Sequence, residues 1–131
     1  MSYKIVLPFL ILLLALASIS WSADSKNIAV EEAKRNIAEG KYGLVLDVRT
    51  PEEFRGDLGH IQGSRLLPIQ ELEGRLGEIA EYKEKNILVY CASGGRSSRA
   101  TSLLAEKGFS RVENMMGGMK EWNKKGYPVE R

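Results

Sequence analysis

Short apolar runs alternate with helix-like segments along most of this chain, and this alternation constrains the fold more than any other feature. The run 44–48 holds a single acid, Asp47, and the run 87–90 holds no charge at all. Continuous apolar runs of this length are typical of strands that are covered on both faces, as in parallel sheets. The alternation therefore predicts an α/β domain with a small, mainly parallel sheet and helices on both faces.

Caps, stops and apolar spacing predict the remaining elements. A first helix is expected over 31–39, ended by Gly40, and a helical turn over 51–54, capped by Thr50. A short strand is expected at 66–67. A longer helix follows, whose inward face holds Ile69, Leu72, Leu76 and Ile79. The last three expected elements are a helix over 97–107, a strand over 109–113 and a helix over 119–125.

Residues 1–22 have the pattern of a secretory signal peptide. Lys4 gives a positive start, 5–19 is almost wholly apolar, and Ser20 and Ser22 are small residues two positions apart. The run is shorter than the about 20 apolar residues that a transmembrane helix needs. We therefore expect cleavage after residue 22, a domain over 23–131, and an exported protein in the periplasm or outside the cell. The alternative is an uncleaved anchor, and only then do we expect contact with a membrane.

The charge balance and the cysteine count exclude several classes of function. Lys and Arg number 19 and Asp and Glu number 17, for a net charge of +2, which is too balanced for a nucleic-acid binder that relies on a strong basic field. One Cys excludes an intrachain disulfide, and one Cys with one His excludes a zinc site built from these residues alone. We expect neither a metal nor a cofactor. A function that rests on cysteine must rest on Cys91.

The segment 91–97 lies between a buried strand and the start of a helix, where open parallel sheets form their sites. Gly94 and Gly95 permit a turn that aims successive N–H groups at one point, and the helix N-terminus adds positive potential there. We expect Cys91 at the base of this bowl, with a lowered thiol pKa, and Arg96 at its rim. A separate base is then not needed. The alternative is that Cys91 is a small buried hydrophobic residue without chemistry.

The loop 91–97 resembles the active-site loop of single-domain rhodaneses, C-x-x-G-x-R-S. Three further segments resemble that family in the family's order. They are 47–54, similar to D-V-R-x-P-x-E-[FY]; 59–64, similar to G-H-I-x-G-[AS]; and 117–129, similar to G-G-x-x-x-W-x-x-x-G-x-P-V. Together the four segments span nearly all of the chain after residue 22.

The resemblance implies sulfur transfer. Cys91 would attack the outer sulfur of a donor such as thiosulfate, become a persulfide, and pass the sulfur to a thiophilic acceptor, cyanide or a thiol. Arg96 would orient the anionic donor, and the loop would hold it through Ala92, Ser93, Gly94, Gly95 and Ser97. The covalent persulfide takes the place of a cofactor. A protein is a further candidate acceptor.

Two other functions remain open at this level. The loop between Phe54 and Gly59 is longer than is common in the family, which suits a sulfur-carrier or docking module without turnover. A phosphatase or an arsenate reductase-like enzyme shares the logic of the site. Tyrosine phosphatases, and the cell-cycle phosphatases that share the rhodanese fold, have five residues between the Cys and the Arg, whereas this chain has four. The smaller bowl would crowd a phosphoryl group. Asp47 and Arg49 are interpreted as a structural charge pair near the loop, and His60 as a framework residue.

Overall fold

The computed structural model describes residues 24–131, so the expected signal segment 1–22 lies outside the described residues. Five strands form one sheet: β1 Asp24–Ile28, β2 Leu44–Asp47, β3 Arg65–Leu66, β4 Asn86–Tyr90 and β5 Arg111–Met115. Within the described residues, five α-helices accompany them: α1 Val30–Ala38, α2 Pro51–Phe54, α3 Ile69–Leu72, α4 Gly95–Glu106 and α5 Gly118–Lys124. The strand order is β1-β5-β4-β2-β3, and every strand pair is parallel. The predicted α/β class is confirmed.

Each face of the sheet has its own apolar core, because side chains alternate along the strands. On β4, Ile87 and Val89 pack with Leu104 of α4, on the face that α3 and α4 cover. Leu88 and Tyr90 point to the opposite face, which α1 and α5 cover. The prediction of helices on both faces is therefore confirmed. Within residues 24–131, no helix combines the length and the apolar character needed to cross a bilayer.

The edge strand β1 is absent from the sequence-based prediction. Its residues DSKNI offer one apolar side chain, Ile28, which is buried, while the three residues before it are exposed. The strand is held by its register with β5, which pairs Ile28 with Met115, and by a 3.0 Å hydrogen bond from Asn114 Nδ2 to Asn27 Oδ1. Pairing to a neighbour, and not an apolar run, makes this segment a strand.

The predicted helix over 69–79 is wrong in form. Only Ile69–Leu72 is α-helical, and the chain continues as a 3-10 helix over Glu73–Tyr82. Arg75 leaves helical angles altogether, with φ −121° and ψ 16°. Gly74 and Gly77 explain the break, because glycine is a poor helix former. The expected apolar face still packs inward: Leu72 and Ile79 are fully buried.

The last strand begins two residues later than predicted. Phe109 is fully buried, but it closes the turn after α4 by donating its N–H to the Leu104 carbonyl at 3.0 Å. Strand β5 then covers Arg111–Met115. The sequence favours a strand at Phe109 because an apolar pattern does not separate a buried turn from a strand.

Candidate active site

Cys91 directly follows β4, at the carboxyl edge of the sheet, and α4 begins four residues later. The reversal between them depends on Gly94, which has φ 108° and caps α4. Residues other than glycine rarely adopt this backbone conformation. The turn brings the first amides of α4 back toward the Cys91 side chain.

The amides of Gly94 and Ser97 donate to Cys91 Sγ, and the Ser97 hydroxyl lies within hydrogen-bond distance of both Sγ and the Gly94 carbonyl. The Gly94 amide lies 3.1 Å from the sulfur, the Ser97 amide 3.4 Å and the Ser97 hydroxyl 3.3 Å. Cys91 is fully buried, which favours the neutral thiol, but these bonds and a further one from the Ser93 amide outweigh the effect of burial. The pKa of Cys91 is therefore lowered from its ordinary value. The predicted lowering of the thiol pKa agrees with this geometry.

The first turn of α4 contains no acidic residue. The first turn of α2 shows the usual arrangement instead: Glu52 and Glu53 lie there, and Thr50 forms a capping box with Glu53. Helix N-termini favour negative charge because their first N–H groups lack partners inside the helix. At the start of α4 the Cys91 sulfur instead accepts hydrogen bonds from the Gly94 and Ser97 amides.

Cys91 forms the floor of a cavity of about 420 Å³, lined by Cys91, Ala92, Ser93, Gly95, Arg96 and Arg99. The structure thus brings the predicted loop residues together around the sulfur. Gly94 and Ser97 bond to Sγ, and Ala92, Ser93 and Gly95 form the walls. A second cavity, of about 520 Å³, lies beside Trp122 and Val129, and no cysteine lines it.

The start of α5 supports the loop from behind. The Met119 amide donates to the Cys91 carbonyl at 2.9 Å, and the Lys120 amide donates to the Ala92 carbonyl at 3.0 Å. Gly118, with φ 56°, lies so close that a Cβ atom there would stand 2.6 Å from the Ala92 carbonyl carbon. These bonds fix the carbonyls on the outside of the loop, so its amides face the sulfur. The Gly117-Gly118 pair was the sequence signal for this contact.

Arg96 lines the cavity, but it is not a free cation. Its two terminal nitrogens donate to the two carboxylate oxygens of Glu53, at 2.6 and 2.8 Å. The Arg96 hydrogen bonds are the main cause that lowers the pKa of Glu53 to about 2, and the same pair raises the pKa of Arg96. Sequence reasoning missed Glu53. The sequence feature that points to Glu53 is its position in the segment 47–54, which also holds Asp47 and Arg49.

Asp47 and Arg49 form the expected charge pair. Arg49 Nε lies 3.0 Å from Asp47 Oδ1 and Arg49 Nη2 lies 2.7 Å from Asp47 Oδ2, and both side chains are fully buried. Arg49 Nη2 also donates to the Gly59 carbonyl at 2.7 Å. The pair therefore ties β2 to the turn at Gly59 and does not line the cavity.

His60 lies outside the lining of the cavity. Its Nδ1 is 2.8 Å from the Phe54 carbonyl, and its ring stacks on the Phe54 ring with centroids 3.6 Å apart. Its backbone pairs with Glu130 in an antiparallel bridge. These contacts agree with the framework role that the sequence indicates. In the described range 24–131, no group of three or more His, Cys, Asp or Glu side chains is arranged to hold a metal ion.

Comparison with known proteins agrees with the fold. Residues 29–125 match the family described as Rhodanese-like domain. A curated sulfurtransferase from Allochromatium vinosum is 33% identical over 99 residues, covering 76% of this chain and 89% of the relative. Thiosulfate sulfurtransferase PspE from Escherichia coli is 36% identical over 76 residues, covering 58% and 70% respectively. A crystal structure of a rhodanese-related protein from Thermoplasma volcanium matches with a TM-score of 0.70 and 34% identity, covering 80% of this chain and 97% of that one. With its five-stranded parallel sheet and its Cys91 loop, the chain belongs to the rhodanese-like domain family and has that family's role in sulfur transfer.

Proposed function

We propose that this protein is a sulfurtransferase of the thiosulfate type, with Cys91 as its nucleophile. The observation that supports this most is the convergence of the Gly94 amide, the Ser97 amide and the Ser97 hydroxyl on one buried sulfur. A thiolate, and not a thiol, is the attacking species, and these donors favour the thiolate. Because these donors favour the ionised sulfur, the mechanism needs no side chain to remove its proton.

The first step forms a bond between Cys91 Sγ and the outer sulfur of thiosulfate. The S–S bond of the donor breaks, sulfite leaves with the electron pair, and Cys91 becomes a persulfide that carries one negative charge. The cavity above Sγ has room for one more sulfur, and the loop amides that favour the thiolate also favour the persulfide anion. In the second step cyanide or a thiolate takes the outer sulfur, and Cys91 recovers its electron pair as a thiolate. Neither step needs an oxidant, a reductant or a cofactor.

The geometry favours sulfur over phosphorus as the transferred group. Four residues separate Cys91 from Arg96, so the loop offers few amides and a narrow opening. Both terminal nitrogens of Arg96 are already bonded to Glu53, whereas a phosphoryl group with three oxygens would need them. Hydrolysis of an aryl phosphate that depends on Cys91 would contradict this part of the proposal.

Turnover separates an enzyme from a sulfur carrier. We expect the purified protein to release thiocyanate from thiosulfate and cyanide over many cycles, and we expect Cys91→Ser to release none. Ser98→Ala is the matched control, because Ser98 is exposed on the same turn and its side chain makes no bond to Sγ. A protein that accepts one sulfur and passes it to no small thiophile would instead be a carrier that serves a protein acceptor.

Export of the protein is a further part of the proposal, supported by the signal-peptide pattern of residues 1–22. We expect the protein recovered from its native cell to begin at or near Ala23 and to be found in the periplasm or the medium. A mass that still includes residues 1–22, in the membrane fraction, would show an anchor instead.

A further inference from the structure

Two of the arginines around the catalytic loop have their charge compensated by a carboxylate. Arg96 is paired with Glu53 through both of its terminal nitrogens, and Arg49 is paired with Asp47 in the core. A guanidinium that is held by a carboxylate at 2.6 Å offers little net charge to a second anion. Ionisation of Cys91 then adds one uncompensated negative charge at the floor of the cavity. An anionic donor would meet repulsion there unless another cation faces it.

Arg99 supplies that cation. It lies on α4 three residues after Arg96, which places both side chains on the same face of the helix, and it lines the cavity above Cys91. Arg99 is exposed, and among residues 24–131 no carboxylate lies within ion-pair distance of it. Of the residues that line this cavity, Arg99 is the one whose positive charge is not compensated within the described part of the chain.

We propose that Arg99 is the residue that recognises the charged end of the sulfur donor and makes the site selective for anionic donors. This inference rests on the proposed function and gives different roles to Arg96 and Arg99. Arg96, held by Glu53, keeps the wall of the cavity in place. Arg99 attracts the sulfonate group of thiosulfate and holds it while the outer sulfur points down to Cys91. A guanidinium suits this role because it donates several hydrogen bonds to the oxygens of one anion.

The test compares charged and neutral reagents at the same sulfur. Iodoacetate and iodoacetamide both alkylate Cys91, but only iodoacetate is an anion, so the ratio of their rates measures attraction of anions independently of sulfur chemistry. In Arg99→Gln we expect the loading of Cys91 from thiosulfate to slow by about tenfold at low ionic strength, through a higher KM. We expect the ratio of the iodoacetate rate to the iodoacetamide rate to fall several-fold. The iodoacetamide rate should stay within about twofold of the wild-type rate, because a neutral reagent is not attracted by the lost charge.

Arg111→Gln is the matched control, because it removes the same charge from an exposed arginine at the opposite end of the sheet. This variant should keep the wild-type ratio and the wild-type loading rate, and Arg99→Lys should keep most of both. The gap between Arg99→Gln and wild type should also close as salt is added.

Three results would overturn the inference: an unchanged ratio in Arg99→Gln, an equal loss in Arg111→Gln, or equal slowing of both alkylating reagents in Arg99→Gln. Failure of the proposed function is recognised separately, because wild-type Cys91 would then take up no sulfur from thiosulfate. In that case the alkylation ratio still decides whether Arg99 attracts anions to Cys91.

Discussion

Glu53 and Arg96 join two different parts of the chain across the wall of the cavity at Cys91. Glu53 belongs to α2, Arg96 belongs to the first turn of α4, and their side chains meet through two parallel hydrogen bonds of 2.6 and 2.8 Å. Both side chains are about a third exposed or less, with 32% and 26% of their surface accessible. The pair links the segment that carries the capping box to the segment that carries Cys91.

The Glu53–Arg96 pair predicts an acid-dependent part of the stability. The pKa of Glu53 is depressed from 4.5 to about 2 in the folded protein, so its stabilising effect is fully present above pH 4.5 and is lost as the pH falls toward 2. Glu53→Gln can keep the capping box but loses the ion pair. We expect it to lower the free energy of unfolding at pH 7 by up to about 1 kcal/mol. Urea unfolding of both proteins at several pH values measures this, and the difference should shrink in acid. A gap that widens below pH 4 would contradict the role of the pair.

Ser97 is expected to tune the thiol. Its hydroxyl and its amide both bond to Cys91 Sγ, and Ser97→Ala removes only the hydroxyl. We expect the pKa of Cys91 to rise in this variant, because one donor to the thiolate is lost. The pH dependence of iodoacetamide alkylation reports this pKa directly. Sulfur loading near neutral pH should slow by roughly tenfold, the effect of losing one hydrogen bond to a charged group. Ser98→Ala should titrate as the wild type does.

Gly118 is expected to tolerate no side chain. A Cβ atom at this position would stand 2.6 Å from both the carbonyl carbon and the carbonyl oxygen of Ala92, and the backbone φ of 56° is itself unfavourable for other residues. We expect Gly118→Ala to cost about 1–3 kcal/mol of stability and to impair sulfur loading, because the loop must move away from α5.

Gly126→Ala separates the effect of an unfavourable backbone φ from the effect of a steric contact with the loop. Gly126 has a φ of 70°, but a Cβ atom there has open space around it. This variant should lose stability through its backbone conformation and yet load sulfur as the wild type does. Equal loss of loading in both variants would show that the contact between α5 and the loop is not what matters.

Asp47 is expected to be essential for folding stability and not for chemistry. Asp47→Asn leaves the Arg49 guanidinium buried without its counter-charge, and Arg49 Nη1 already has no hydrogen-bond partner in the described structure. We expect a loss of about 3–5 kcal/mol, measured by chemical denaturation. Glu78→Gln breaks the pairs with Arg65 and Arg75 at the surface and should leave the free energy of unfolding nearly unchanged. Similar losses in the two variants would contradict a special role for the buried pair.

The sequence predicts best those elements that are buried on both faces, because they appear as continuous apolar runs. Strands β2 and β4 are covered on both faces, so their apolar runs were sufficient, and the loop that follows β4 was identified with them. The sequence does not predict strand β1 because its residues have no strand-like apolar pattern, and its pairing with β5 is what makes it a strand. The 3-10 segment over Glu73–Tyr82 was mistaken for an α-helix because its apolar residues keep nearly the same spacing while Gly74 and Gly77 loosen the backbone.

In the candidate site, the sequence predicts contacts between residues that are close along the chain but not contacts between distant ones. The contacts within 91–97 are local, so the sequence indicated the amides around Cys91. Glu53 lies 43 positions from Arg96, and Gly118 lies 27 positions from Cys91. Nothing in the local pattern states which distant carboxylate or glycine will meet the loop. Only the order of the strands, with β5 and β2 on either side of β4, brings these residues together.

The mass of the intact protein before and after exposure to thiosulfate tests the central claim most directly. In the proposed function, the buried Cys91 sulfur takes up a single sulfur atom and gives it away again. We expect freshly reduced protein to gain about 32 Da, located at Cys91 by peptide mapping, and to return to its first mass when cyanide is added. Protein that gains no mass, or that gains it equally in Cys91→Ser, would contradict the account.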